Sequence, residues 1–154
     1  MSSDYYQLNE VEVVYRPIQD FEERPIIRSS RDAHELFRSN WDDMRIGYRE
    51  EAKMLLLNRN NRVLGIANLS SGGIAGTVVD PKVIFTTALK CAATSIILAH
   101  NHPSGQMQPS LDDLKIQRKV IEGGKVLDIS VLDHIILSGT DSNYHSMADS
   151  LDLK

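Results

Sequence analysis

The chain has 154 residues, 42% of them hydrophobic and 25% charged, and a formal net charge of -4. That length and balance point to one ordinary soluble globule and exclude a collagen-like or low-complexity chain. No apolar run approaches the roughly 18 residues that span a bilayer. The first ten residues are polar and acidic, so neither a membrane partner nor a secretory leader is expected, and the predicted compartment is cytoplasmic. Cys91 is the only cysteine, which excludes an internal disulfide and a zinc site built on thiolates. An acidic chain does not gather polyanions, so nucleic acid starts as the unfavoured partner.

Residues 10–16 alternate through Val11, Val13 and Tyr15, which predicts a strand. Ser29 and Ser30 offer N-caps for a short helix carrying Ala33, Leu36 and Phe37, with Trp41 near its end. Residues 1–44 are read as an N-terminal extension, strand plus short helix, packed on a main domain of residues 45–154. That domain opens with a strand through Met54, Leu55, Leu56 and Leu57, a turn over 58–61, and a second strand over 63–69 that ends in the turn Ser70-Ser71-Gly72-Gly73. Asp80-Pro81 starts a helix that runs to about Ala93, because Asp accepts from free amides and Pro lacks an N–H that would be unpaired there. A short apolar strand over 95–99 follows. Ser110 then caps a helix that Gly123 and Gly124 are expected to end, and residues 126–131 and 134–137 close the sheet as two further strands. The alternation predicts an α/β fold with a central mixed β-sheet flanked by helices.

Polar chemistry concentrates after the 95–99 strand, in His100-Asn101-His102-Pro103-Ser104-Gly105, and continues to Ser110 and Asp113. Residues i and i+2 of an extended segment point to the same side, so His100 and His102 can present two imidazoles to one point. Pro103, Gly105 and Pro109 turn the chain, and Asp113 sits three residues after the helix cap, on its face. Two imidazole nitrogens and one carboxylate leave a fourth tetrahedral position open, as in catalytic zinc sites. The bland reading of Ser110 and Asp113 is a capping pair.

The string His-x-His, a seven-residue gap and Ser-x-x-Asp is similar to the JAMM motif of the JAB/MPN metallopeptidases, and His-Asn-His-Pro-Ser-Gly-x-x-x-Pro-Ser-x-x-Asp resembles its RadC-like branch. Gly73-Ile74-Ala75-Gly76-Thr77, Asp80-Pro81, Leu132-Asp133-His134-Ile135-Ile136-Leu137 and Tyr144-His145-Ser146 extend the resemblance over about residues 45–150. It implies a fold related to the cytidine deaminases, one Zn²⁺, and hydrolysis of amide or isopeptide bonds in a peptide or protein substrate by a metal-activated water. By position, His100, His102 and Asp113 match the metal ligands, and Ser110 matches the serine that steadies the developing oxyanion. The resemblance takes its general base from a glutamate eight residues ahead of the polar residue ending the first core strand, and counting back from Asn58 gives Glu50. Glu51 would face the other way in an extended stretch.

The RadC-like name also carries an alternative, a DNA repair-associated protein acting on or recruited to DNA. Full-length RadC-like proteins often hold a helix-hairpin-helix segment before the JAB-like domain, and residues 1–44 are too few and too strand-like for one. Arg45, Arg49, Lys53, Arg59 and Arg62 form either a basic patch or a solvated face. His34-Glu35-Leu36-Phe37-Arg38 misses the zincin pattern because Arg38 is no ligand, leaving His34 as a helix-surface residue. One cysteine cannot supply a deaminase's Cys-x-x-Cys, and no nucleophile elbow or P-loop is present. Cys91 reads as a small core residue. Asp133 and His134 either back the metal ligands or brace a strand crossing, and Gly72 and Gly73 serve a turn. Oligomeric state is not encoded in any of these features.

Overall fold

Helix starts follow the capping residues. The structure, a computed structural model, describes residues 8–12, 14–17, 23–71 and 79–151. Ser29 caps α1 (Ser30–Ser39), accepting from the Asp32 amide. Asp80 caps α2 (Pro81–Lys90) and accepts from the Lys82 amide, and Ser110 caps α3 (Leu111–Leu127). The strands are β1 (Glu51–Leu57), β2 (Val63–Ser71), β3 (Ser95–His102), β4 (Ser130–Ser138) and β5 (Tyr144–Ser146).

These strands form one mixed sheet in the order β2-β1-β3-β4-β5. β1 runs antiparallel to β2 and β3, β3 is parallel to β4, and β5 returns antiparallel to β4. A parallel pair needs a long crossover, and α3 supplies it between β3 and β4. Each face of the sheet is covered. Phe37 and Trp41, from α1 and its end, pack with Leu55, Leu57, Ile97, Ile135 and Leu137 on one face. On the other, Ile84 and Ala88 of α2 and Val120 of α3 pack with Met54, Leu56, Ile96 and Leu98. The expected mixed α/β sheet between helices is therefore present, consistent with a JAB/MPN fold.

Five local expectations are corrected. Residues 10–12 and 14–16 carry no strand: Val11 is 90% exposed and among the described residues no neighbouring strand supplies a ladder, while Val13 lies outside the described residues. The Tyr15 hydroxyl donates to the Leu64 carbonyl at 3.1 Å. α2 stops at Lys90 rather than near Ala93, because Ala92 turns left-handed with φ 53°. α3 passes through Gly123 and Gly124 and ends at Leu127, with left-handed Asp128 as its C-cap. These glycines serve close approach instead of termination: a Cβ on Gly123 would lie 2.7 Å from the Phe85 ring, and one on Gly124 would collide with the Ile129 carbonyl. Residues 126 and 127 are consequently helical, and β4 is a single strand where two were expected. His34 is not on the surface either. It is 8% exposed and stacks on the Tyr144 ring with centroids 4.3 Å apart, and burial pushes its pKa down. Residues 72–78, including Gly72 and Gly73, lie outside the described residues.

Gly124→Ala gives a test with an inverted sign. In an open helix interior the change stabilises by about 1 kcal/mol; against the Ile129 carbonyl it should destabilise by about 1–3 kcal/mol. Urea unfolding reads the difference as a lower midpoint.

Candidate metal centre

β3 lies between β1 and β4, and its pleat sorts its side chains. Leu98, His100 and His102 share the face covered by α2 and α3, and Ile97, Ala99 and Asn101 share the other. His100 is 3% exposed, flanked by Ala52 of β1 and Ile136 of β4. Its Nε2 stands 2.9 Å from His102 Nε2. Asp113 arrives from the first turn of α3. Its amide donates to Ser110 Oγ at 3.0 Å and its Oδ2 accepts from the Ser110 amide at 2.8 Å. That same Oδ2 lies 3.3 Å from His100 Nε2 and 3.4 Å from His102 Nε2. The capping box and the convergence on the imidazoles are one arrangement, since the box fixes the carboxylate that faces them. Glu50, just before β1, completes a group whose ligand atoms all lie within 4.8 Å of one another.

These atoms fit a metal ion. Tetrahedral bonds of 2.0–2.2 Å to nitrogen and oxygen require ligand–ligand edges of about 3.3 Å, and the three edges here are 2.9, 3.3 and 3.4 Å. Two imidazoles and a carboxylate are also the donor chemistry of a borderline divalent ion.

Hydrogen bonds fix which nitrogen faces the cluster. His102 Nδ1 meets the Gln106 carbonyl, which only accepts, so Nδ1 carries the proton and Nε2 presents its lone pair. For His100 the constraint comes through two residues. Gln117 Oε1 lies 2.7 Å from His134 Nδ1 and accepts its proton; His134 Nε2 is then an acceptor, 2.6 Å from His100 Nδ1. His100 Nδ1 therefore donates, and its Nε2 lone pair points into the cluster. Burial, with His100 beside it, holds His134 far below the ordinary imidazole value, so this link is neutral.

The carboxylates differ in electrostatics. Burial works to raise the Asp113 pKa, but hydrogen bonds from His100 and His102 overcome it and hold the group well below the usual carboxylate range. For His102, burial lowers the pKa, and the Asp113 and Gln106 contacts outweigh it, leaving a net rise. Glu50 is raised, chiefly by burial, against the pull of the two imidazoles.

Asn101 was not singled out from sequence, yet it seats Glu50. Fully buried, it accepts from the Glu51 amide at 2.7 Å and donates to the Ile46 and Arg49 carbonyls at 2.7 and 2.8 Å. The segment carrying Glu50 is thereby tied to the strand carrying both imidazoles. Glu51 is buried away from the cluster, with Oε1 3.8 Å from Arg45 Nη1. A close backbone junction borders His102: the Gly139 amide donates to the His102 carbonyl at 2.9 Å, and a Cβ on Gly139 would lie 2.6 Å from Ile46 O and Pro103 Cα.

Asp133 and His134 divide the two readings between them. His134 reaches His100, whereas Asp133 accepts from Ser146 Oγ at 2.6 Å and the Ala148 amide at 3.0 Å, bracing β5. Ser110 is the exposed cap beside Asp113. Cys91 is a half-buried C-cap whose thiol burial pushes up. Of the basic residues, Arg45 pairs with Asp42 at 2.9 Å, Lys53 donates to Asn68 and lies over the Trp41 ring, and Arg62 donates to the Arg24 carbonyl. No helix among the described residues is long and apolar enough to cross a membrane.

Two outcomes follow for metal uptake, both read by calorimetric titration. Gln117→Met removes the acceptor that sets the His134 and His100 tautomers, and should weaken metal affinity by about 10–100-fold. Protons compete for His102 Nε2, and its raised pKa brings that competition in at higher pH than for a free imidazole. Affinity should be flat above the raised value and fall about tenfold per pH unit below it.

The family model for the RadC-like JAB domain matches residues 27–152. Similar curated proteins, each named UPF0758 protein, include one from Flavobacterium johnsoniae, 46% identical over 65% of this chain and 43% of its own length. Another, from Syntrophomonas wolfei, is 38% identical over 89% of this chain and 58% of its own. A third, from Moorella thermoacetica, is 39% identical over 82% and 53%. The chain thus spans about half the length of the curated relatives it matches. On sequence, fold and cluster together, this chain belongs to the RadC-like JAB domain family.

Proposed function

We propose that the chain is a zinc-dependent hydrolase of amide or isopeptide bonds in a peptide or protein. The observation that carries this reading is the convergence of His100, His102 and Asp113 at tetrahedral spacing with Glu50 beside them. A bound zinc supplies a Lewis acid for the scissile carbonyl and brings the pKa of water to about 7. His100, His102 and Asp113 would hold the ion. Glu50, raised by burial, is suited to accept the attacking water's proton and pass it to the leaving nitrogen. Ser110 Oγ already accepts from the Asp113 amide, which leaves its hydrogen to donate toward the carbonyl oxygen as charge develops there.

Phosphodiester chemistry is less well supported. Many metal-dependent nucleases clamp the phosphate between two ions about 4 Å apart, and this group supplies ligands for one. Arg45, Lys53 and Arg62 are engaged within the protein.

Elemental analysis should find about one zinc per chain, lost in His102→Ala while far-UV circular dichroism stays folded. Glu50→Gln should keep the zinc and lose at least about 100-fold in turnover, whereas Glu51→Gln should be mild. The assay is a screen of peptides and ubiquitin-like conjugates run beside single- and double-stranded DNA with Zn²⁺, Mg²⁺ or Mn²⁺. DNA cleavage that disappears in both His100→Ala and Asp113→Ala would overturn the amide reading.

A further inference from the structure

Beside the metal cluster lies a cavity of about 250 Å³. Its floor is the buried pair Ala52 and Leu98, and its walls are Leu69, Val79 and Ile116. All five side chains belong to, or line the margin of, the sheet face covered by α2 and α3. Glu50, His100 and Asp113 belong both to this lining and to the candidate metal group. The cavity therefore opens directly beside the cluster.

Size and charge select the occupant. An apolar cavity of roughly 150 Å³ accepts benzene, so this one has room for a leucine- to phenylalanine-sized group. Its charged lining residues are Glu50, Asp112 and Asp113, with no Lys or Arg among the described residues that line it. In the metal-free protein a carboxylate or phosphate entering the cavity would be desolvated beside Glu50 and Asp113 with no Lys or Arg to pair with, which disfavours an acidic side chain there. An uncharged apolar side chain loses nothing and gains the area it removes from water.

We propose that this cavity is the specificity pocket of the hydrolase, receiving an uncharged apolar side chain of a residue next to the scissile amide. The proposal rests on the amide-hydrolase reading, so its test has one arm that needs neither metal nor turnover. In that arm, metal-free protein is titrated with isocaproamide, which carries leucine's isobutyl group on a bare amide, and followed by ¹H–¹⁵N spectra. Saturable shifts centred on Ala52, Val79 and Ile116 are expected, at least about tenfold stronger than with acetamide and absent with succinamate. Ile116→Trp, which fills the cavity from α3, should abolish them with the fold retained.

In the second arm, zinc-loaded protein is titrated calorimetrically with N-acetyl hydroxamates of leucine, glycine and aspartate, and with matched compounds carrying the isobutyl group on the other side of the zinc-binding group. One leucine-type compound should bind about 10–100-fold tighter than its glycine counterpart, and the advantage should vanish in Ile116→Trp. Leucine and glycine compounds of equal affinity on both sides, or isocaproamide shifts that map elsewhere, overturn the pocket and leave the metal centre standing. Failure to take up zinc overturns the hydrolase reading, and the metal-free arm then decides the cavity alone.

Discussion

The pleat of β3 decides which chemistry meets which. Its apolar stretch, Ile96 to Ala99, buries both faces of the sheet, and the same alternation continues into His100, Asn101 and His102. Both imidazoles therefore fall on the α3 side and the amide between them on the α1 side. A one-residue slip would exchange the two sets, but β3 is paired along most of its length to β1 and along all of it to β4. The polar residues emerge at the carboxyl end of β3, where parallel β/α units characteristically place their ligands. There the N-terminus of α3 brings the Asp113 carboxylate with a capping box and a favourable dipole.

Around this end the protein buries polar groups that a purely structural core would avoid. Asn101 uses three hydrogen bonds to seat the Glu50 segment, and Gln117 and His134 form a two-link chain to His100. Among the described residues the Gln117 Nε2 is left buried with no hydrogen-bond partner, at a cost of about 1–3 kcal/mol. The buried links through Gln117 and His134 aim a small number of atoms at the cluster.

Legibility in the sequence tracked the range of each interaction. Ser29, Asp80 and Ser110 act on amides two or three residues away, so the starts of all three helices were readable from them. The i, i+2 relation likewise made the His100 and His102 convergence readable. Features set by distant partners were not. Gly123 and Gly124 look like a helix end until Phe85 and Ile129 are seen against them, and His34 looks exposed until Tyr144 covers it. The alternation of residues 10–16 says nothing about whether a strand exists to pair with. Gln117, inside an unremarkable helical stretch, carries no local sign of its bond to His134; only its place near the first turns of the helix that delivers Asp113 hints at a reach into the site.

The junction at Gly139 sets a limit on how the site can be adapted. Where Ile46, Pro103 and Gly139 meet backbone to backbone, no larger residue can be inserted at Gly139 without forcing the main chain apart, and that main chain holds His102 and leads to Glu50. Substitution along that border is thus constrained by contact between main chains. The mutable border is the one built from side chains, Leu69, Val79 and Ile116, whose sizes can change without moving His100, His102 or Asp113. One border of the cluster is in this way rigid through its main chain and the other adjustable through its side chains.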